Sequence, residues 1–164
     1  MKSIVIYYSY SGNTKQVARA LVEFLAQKGE VEEVELQGLD ESRSFFAQCN
    51  RALRKVRGKI QEVQPDLSGY DLVCLGTPLW AFSPAPAMNT YMDLAFGLLG
   101  KKVVLFTTYG SGTGNERCIN YMQELLSQKG AIVFSRFSIQ QGKAGRKEFV
   151  SSEINKALRL WPNG

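Results

Sequence analysis

Histidine is absent from all 164 residues. That removes Ser-His and Cys-His nucleophilic catalysis outright and argues against zinc or haem sites of the usual kind. Cysteine is scarce: Cys49, Cys74 and Cys118 lie far apart with no Cys-x-x-Cys, each in an apolar pattern that suits a reduced core residue. Cys118 shares its spacing with Met122 and Leu125, which favours packing over a redox role. No apolar run reaches the ~18 residues of a membrane span. Lys2 is followed by too few apolar residues for a signal peptide, so a cytoplasmic location is expected. Neither Gly-x4-Gly-Lys-Ser/Thr nor Gly-x-Gly-x-x-Gly follows the first strand-like segment.

Acidic residues are few in the last third. Residues 1–100 carry ten basic and eleven acidic side chains, and residues 101–164 carry ten basic and four acidic, which gives the net charge of +5. Arg51, Arg54, Lys55, Arg57 and Lys59 form a run without an acid. It reads as a solvated helix end, or as a surface for an acidic or phosphate-bearing partner. It has no interleaved aromatics and no base-reading motif, so nucleic acid is not an expected partner.

What is present begins with the first fourteen residues. Ser3–Tyr8 reads as a buried strand, and Ser9-Tyr10-Ser11-Gly12-Asn13-Thr14 leads straight into an amphipathic helix. A strand, a hydroxyl-rich turn with one glycine and a helix start form an anion cradle, because the helix end offers free N–H groups and a partial positive charge. With no lysine after the glycine, the loop suits a phosphate monoester better than a triphosphate or a pyrophosphate.

The rest of the chain alternates. Helical periodicity runs from Thr14 to Lys28 and stops at Gly29. Val31–Leu36 reads as an edge strand, and Glu41 to about Gln61 as a helix with Phe45, Phe46, Cys49, Leu53, Val56 and Ile60 in one stripe. Tyr70–Gly76 is apolar on both faces and therefore central. A helix opened by Pro84 and Pro86 follows, with Met88, Tyr91, Met92, Ala95, Phe96 and Leu99 on its buried side. Then come strand Lys102–Thr107, helix Asn115–Lys129, strand Ala131–Phe137 and helix Arg146–Trp161. The expectation is one α/β domain over residues 1–164, a three-layer α/β/α sandwich on a five-stranded parallel sheet in order 2-1-3-4-5. In such sheets ligands bind beyond the strands' carboxyl ends, at the point where the order reverses.

Three loops meet there. The first is the cradle. The second, Gly76–Pro84, supplies an aromatic and apolar wall, and the third, Thr107–Asn115, supplies glycines that let backbone approach a ligand. A flat aromatic ligand with a phosphate tail satisfies all three. The motifs Ser9-Tyr10-Ser11-Gly12-Asn13-Thr14, Tyr70–Trp80 and Thr108-Tyr109-Gly110-Ser111-Gly112 together resemble the flavodoxin family, in its short-chain form, along essentially the whole chain. The resemblance implies FMN as cofactor. Ser9, Tyr10, Ser11, Gly12, Asn13 and Thr14 then hold its phosphate end; Thr77, Pro78, Leu79, Trp80, Ala81 and Phe82 flank the ring; and Tyr109, Gly110, Ser111 and Gly112 line the other side. No residue stands out as a catalytic acid or base, and no metal site is expected.

The function that follows is an FMN redox protein carrying electrons between protein partners, with acidic partners suited to the basic balance. The alternative is an NAD(P)H-dependent FMN oxidoreductase reducing quinones or similar small acceptors. Ser111, small where some relatives carry a bulky aromatic, favours that reading, and Gln140–Lys147 could form a cationic rim for a dinucleotide phosphate. A non-redox phosphate-binding module is the third reading, and a colourless protein would mark it. Many relatives carry a glycine in the second loop; residues 77–83 contain none, so positive φ at Ala81-Phe82 would be strained. Acidic carriers place carboxylates around the flavin, whereas these three loops contain no Asp or Glu. One missing charge ~10 Å away, at an effective dielectric near ~20, is worth about 1–2 kcal/mol. The fully reduced flavin should therefore form at a less negative potential than in acidic carriers. Spectroelectrochemistry giving a second potential as low as theirs would contradict this.

Overall fold

The computed structural model describes every residue except Arg43, Gly112 and residues 160–164. Trp161, expected to close the last helix, and Gly112, expected in the third loop, therefore lie outside the described residues. Five parallel strands, β1 (Lys2–Tyr8), β2 (Glu30–Leu36), β3 (Leu72–Pro78), β4 (Lys102–Tyr109) and β5 (Val133–Gln140), form one sheet in the order β2-β1-β3-β4-β5. Helices α1 (Asn13–Ala26), α2 (Phe45–Leu53), α3 (Pro86–Leu94), α4 (Asn115–Gln128) and α5 (Lys147–Arg159) connect or follow them.

Period-2 alternation sorts the inner strands into two cores. Ile4, Ile6 and Tyr8, Val73 and Leu75, and Val103 and Leu105 pack with Met88, Tyr91, Met92, Ile119 and Met122 of α3 and α4. Val5 and Tyr7, Leu72 and Cys74, and Val104 and Phe106 pack with Val17, Leu21, Val150 and Ile154 of α1 and α5. The sandwich and strand order match the sequence expectation.

Cys74 and Cys118 are fully buried free thiols. Burial pushes the Cys118 thiol up to about 12 and shifts Cys74 in the same direction, which suits core residues. The edge strand β2 carries glutamates that blunt its free edge. Two of them accept from tyrosines on or just before the neighbouring strands: Tyr7 Oη donates to Glu33 Oε1 at 2.7 Å, and Tyr70 Oη donates to Glu32.

Two helices are shorter than periodicity suggests. The second ends at Leu53, eight residues early. Lys55 adopts φ 52°, its N–H donates to Ala52 O at 2.8 Å, and the Val56 N–H donates to Arg51 O at 2.9 Å. This paired termination uses a lysine where glycine is usual. Beyond it the chain runs extended, with Gly38 bridging Ile60 and the Thr90 hydroxyl donating to Gly58 O at 2.6 Å. Ile60 still reaches the core, which is why it kept the helical register. Phe46 and Leu53, expected inside, are exposed at 86% and 52%. The third helix stops at Leu94, so Phe96, bridged to Asp66, and Leu99, on a turn, are exposed instead of lying on its buried face.

Gly76 marks the tightest point of the sheet: a Cβ there would sit 2.0 Å from Cζ of Phe106, whose ring stacks on Phe137 with centroids 5.5 Å apart. Phe106 is fully buried and cannot yield. Gly76→Ala should cost about 1–3 kcal/mol by overpacking. Urea denaturation checks this, and an unchanged midpoint would contradict it.

Candidate functional site

The cradle follows directly from the end of β1. Gly12 takes φ 87° at the N-cap of α1, and a Cβ there would meet nothing within 4 Å, so backbone conformation and not space selects the glycine. The N-cap residue itself has no side chain to cap this end, and no acid sits in its first turn. The Lys15 N–H donates to Ser9 Oγ at 3.2 Å, and the Gln16 N–H donates to Gly12 O at 3.1 Å. The N–H groups of Asn13 and Thr14 have no acceptor within the helix and are open to an anion. Asn13 Nδ2 donates to Ser11 Oγ at 3.0 Å. Ser9 and Ser11 thus have oxygens that already accept from the protein, which leaves their hydroxyl hydrogens to donate outward. Thr14 is buried, its Oγ1 2.8 Å from Thr108 Oγ1. That pair spends one hydrogen internally and keeps one.

The second loop is more tightly built than its sequence suggests. Thr77 is fully buried; its Oγ1 accepts from the Ala85 N–H at 3.0 Å and donates to Pro78 O at 3.1 Å, so it braces the loop. Pro78 is buried at the end of β3, and the half-buried Leu79 donates its N–H to Thr108 O at 2.8 Å. Trp80 and Ser83 exchange backbone hydrogen bonds at 3.0 and 2.9 Å around Ala81 and Phe82, whose φ values are 46° and 67°. Two positive φ angles inside such a pair make a type I′ turn, normally the province of Asn and Gly. The strain expected at a glycine-free second loop is therefore already present in the resting turn.

Trp80 is 3% exposed and does not stand open as a ring-stacking face. It packs edge-on against Tyr8, Tyr10 and Phe45, with centroids 5.6, 5.4 and 6.0 Å away. Tyr10 and Phe82, at 42% and 43%, are the exposed aromatics of the first two loops. Burial and a hydrogen bond to Glu41 hold the Tyr8 hydroxyl neutral, its pKa shifted well upward.

The third loop is low. Tyr109 ends β4 half-buried, while Gly110, Ser111 and Thr113 are exposed, the two hydroxyls 3.4 Å apart. Gln140 Nε2 donates to Gly110 O at 3.4 Å, which brings the start of the Gln140–Lys147 segment beside this loop. Gly114 caps α4 at φ 90°, and the Phe82 ring lies over it. The three loops are in contact through Thr14 with Thr108, Leu79 with Thr108, Tyr10 with Trp80, and Phe82 with Gly114.

Three participants were not assigned to the site from sequence, although Thr108 opens the third motif and Gly114 lies in the third loop. Thr108 could have been found as a strand-end threonine opposite the cradle. Gly114 carried a signal as a glycine just before a helix start. Phe45 had none, because its contact with Tyr10 (6.3 Å) and Trp80 depends on where α2 lands.

Comparison with known proteins identifies the family and the fold. The sequence model of NADPH-dependent FMN reductases matches residues 1–144. Among solved structures, a putative flavoprotein from Bacteroides eggerthii is similar at TM-score 0.70 and 19% identity, covering 95% of this chain and 97% of that one. A flavoprotein in complex with FMN from Lactobacillus acidophilus is similar at TM-score 0.63 and 18% identity, covering 90% and 98%. Flavodoxin 1 from Bacillus cereus is similar at TM-score 0.59 and 20% identity, covering 96% and 99%. The chain belongs to the NADPH-dependent FMN reductase family, a flavodoxin-like flavoprotein whose cofactor is FMN.

Proposed function

We propose that the protein is an NAD(P)H-dependent FMN oxidoreductase that passes electrons to a quinone or similar planar acceptor. The observation that carries this reading is the low third loop: Gly110, Ser111 and Thr113 are small and exposed, so no large side chain of theirs closes that side of the site. A nicotinamide needs such access. The basic segment that follows Gln140, which touches the same loop, suits a dinucleotide phosphate, with Lys143 over the Phe149 ring and Lys147 facing Gln16 and Arg19 of α1. The family match supports the same reading. So does the similarity to an NADH:FMN oxidoreductase, at TM-score 0.68 and 17% identity.

The residues fit the cofactor. Asn13 and Thr14 N–H groups with the hydroxyls of Ser9, Ser11 and Thr14 bind a monoester dianion, and the acid-free start of α1 adds a favourable dipole. In this reading the exposed Phe82 of the second loop and Tyr109, Gly110 and Ser111 of the third lie beside the ring, with Thr77, Pro78 and Trp80 buried behind them as support. Bound FMN supplies the redox chemistry; the chain binds, orients and sets the local electrostatics.

A second reading, an electron carrier between proteins, has one observation in its favour. Phe45 and Phe46 are exposed at 48% and 86% beside Tyr10, an aromatic face that suits a protein partner. The neighbouring basic run is largely engaged within the chain. Arg51 pairs with Asp40, Arg57 pairs with Asp93, and Lys55 lies 3.8 Å from the Tyr121 ring centroid. An acidic partner therefore has less free positive charge to meet than the sequence suggests.

Anaerobic mixing of the FMN-loaded protein with NADPH or NADH, followed at 450 nm with and without a quinone, separates the readings. Rapid bleaching and steady turnover are expected. Bleaching by dithionite but by neither nicotinamide would leave the carrier. The cradle has its own test in paired titrations with FMN and riboflavin. Ser9→Ala and Ser11→Ala should each weaken FMN by roughly tenfold, the worth of one charge-assisted hydrogen bond, and leave riboflavin unchanged. Equal losses for both ligands would contradict phosphate contact.

A further inference from the structure

Ala81 and Phe82 are consecutive non-glycine residues in the left-handed region, at φ 46° and 67°. Such a pair is costly, and it persists only where surrounding contacts hold it in place. Glycine at either position would relieve the strain, yet neither carries one. Two sets of contacts hold the turn. The reciprocal Trp80–Ser83 hydrogen bonds close it, with both residues nearly buried. The Phe82 ring is seated on Gly114, where a Cβ would lie 2.0 Å from Cδ1, 2.9 Å from Cε1 and 3.0 Å from Cγ. Gly114 is thus required twice, by its own φ of 90° and by this ring. The contact joins the second loop to the start of α4, directly behind the third loop. Phe82 keeps 43% of its surface exposed.

We propose that Phe82 is a positioning residue of the flavin site. Keyed onto Gly114, it locks the second loop to the third, so that the two walls of the ring pocket are set before the cofactor arrives. The strained turn is then the cost of preorganisation, since a site already in its binding form loses less on binding. The inference rests on FMN lying between these loops, as proposed above, but not on which donor reduces it.

The experiment titrates the apoprotein with FMN and with riboflavin by flavin fluorescence quenching, with stopped-flow association rates. Phe82→Ala should weaken both ligands by roughly tenfold, because the ring pocket and not the phosphate contact is affected. The loss should appear mainly in the association rate, as expected when only a fraction of molecules holds the competent conformation. Phe82→Tyr should restore wild-type values. Gly114→Ala should give a similar loss, and the double variant should be no weaker than the weaker single one, since both break the same contact. Circular dichroism melting of each apoprotein shows whether it is folded; if Gly114→Ala fails to fold, the Phe82→Ala and Phe82→Tyr pair decides alone. Wild-type binding by Phe82→Ala, a loss confined to dissociation, or fully multiplicative losses in the double variant would overturn the proposal. If Ser9→Ala and Ser11→Ala also left FMN binding unchanged, the placement of the cofactor itself would fail. A lack of NADPH bleaching would leave this inference intact.

Discussion

The parallel ladder between β1 and β3 is the constraint on which the site depends. Ser3 to Tyr7 run in register with Leu72 to Gly76, so both strands end at the same level and release their loops side by side. β4 extends the register from Leu72–Lys102 to Pro78–Thr108. The crevice is a product of chain order, because β1 sends α1 to one face and β3 sends α3 to the other. Gly76 secures this end of the ladder by admitting the Phe106 ring against the backbone.

On that frame the proposed phosphate cradle and the proposed ring walls use different physics. The cradle is electrostatic and open: unpaired N–H groups, hydroxyls turned into donors by their internal partners, and no nearby acid in its helix turn. The walls are steric. Thr77 braces one end of the second loop, Trp80 is anchored among Tyr8, Tyr10 and Phe45, and Phe82 is seated on Gly114. Strain sits at Ala81 and Phe82, where contacts with other loops can hold it. A phosphate requires donors that are free, whereas a flat ring requires surfaces that do not move.

Charge is arranged by the same logic. The four glutamates of β2 guard the free edge and receive Tyr7, Tyr70 and Lys15. Most cations of the 51–59 run are satisfied close to home. Gln140 ties the start of the basic segment 140–147 to the third loop, while Lys143 lies over the Phe149 ring and Lys147 faces Gln16 and Arg19 of α1.

The strand–helix order, the two-faced burial of the inner strands and the open helix start after Gly12 were legible in the sequence. Each of these follows from local periodicity or from a backbone conformation written in neighbouring residues. The extent of α2 was not legible. Val56 and Ile60 keep a helical spacing while the chain leaves the helix at Lys55, and a left-handed lysine has no sequence signature. Nor was the fate of Trp80 legible: the same residue in the same loop could stand against a ring or lie beneath Tyr10, and the packing of Tyr8, Tyr10 and Phe45 around it decided the outcome. The hydroxyl pair of Thr14 and Thr108 and the seating of Phe82 on Gly114 join residues 94 and 32 positions apart. Such contacts depend on the register of strands folded together, and no local rule carries that information.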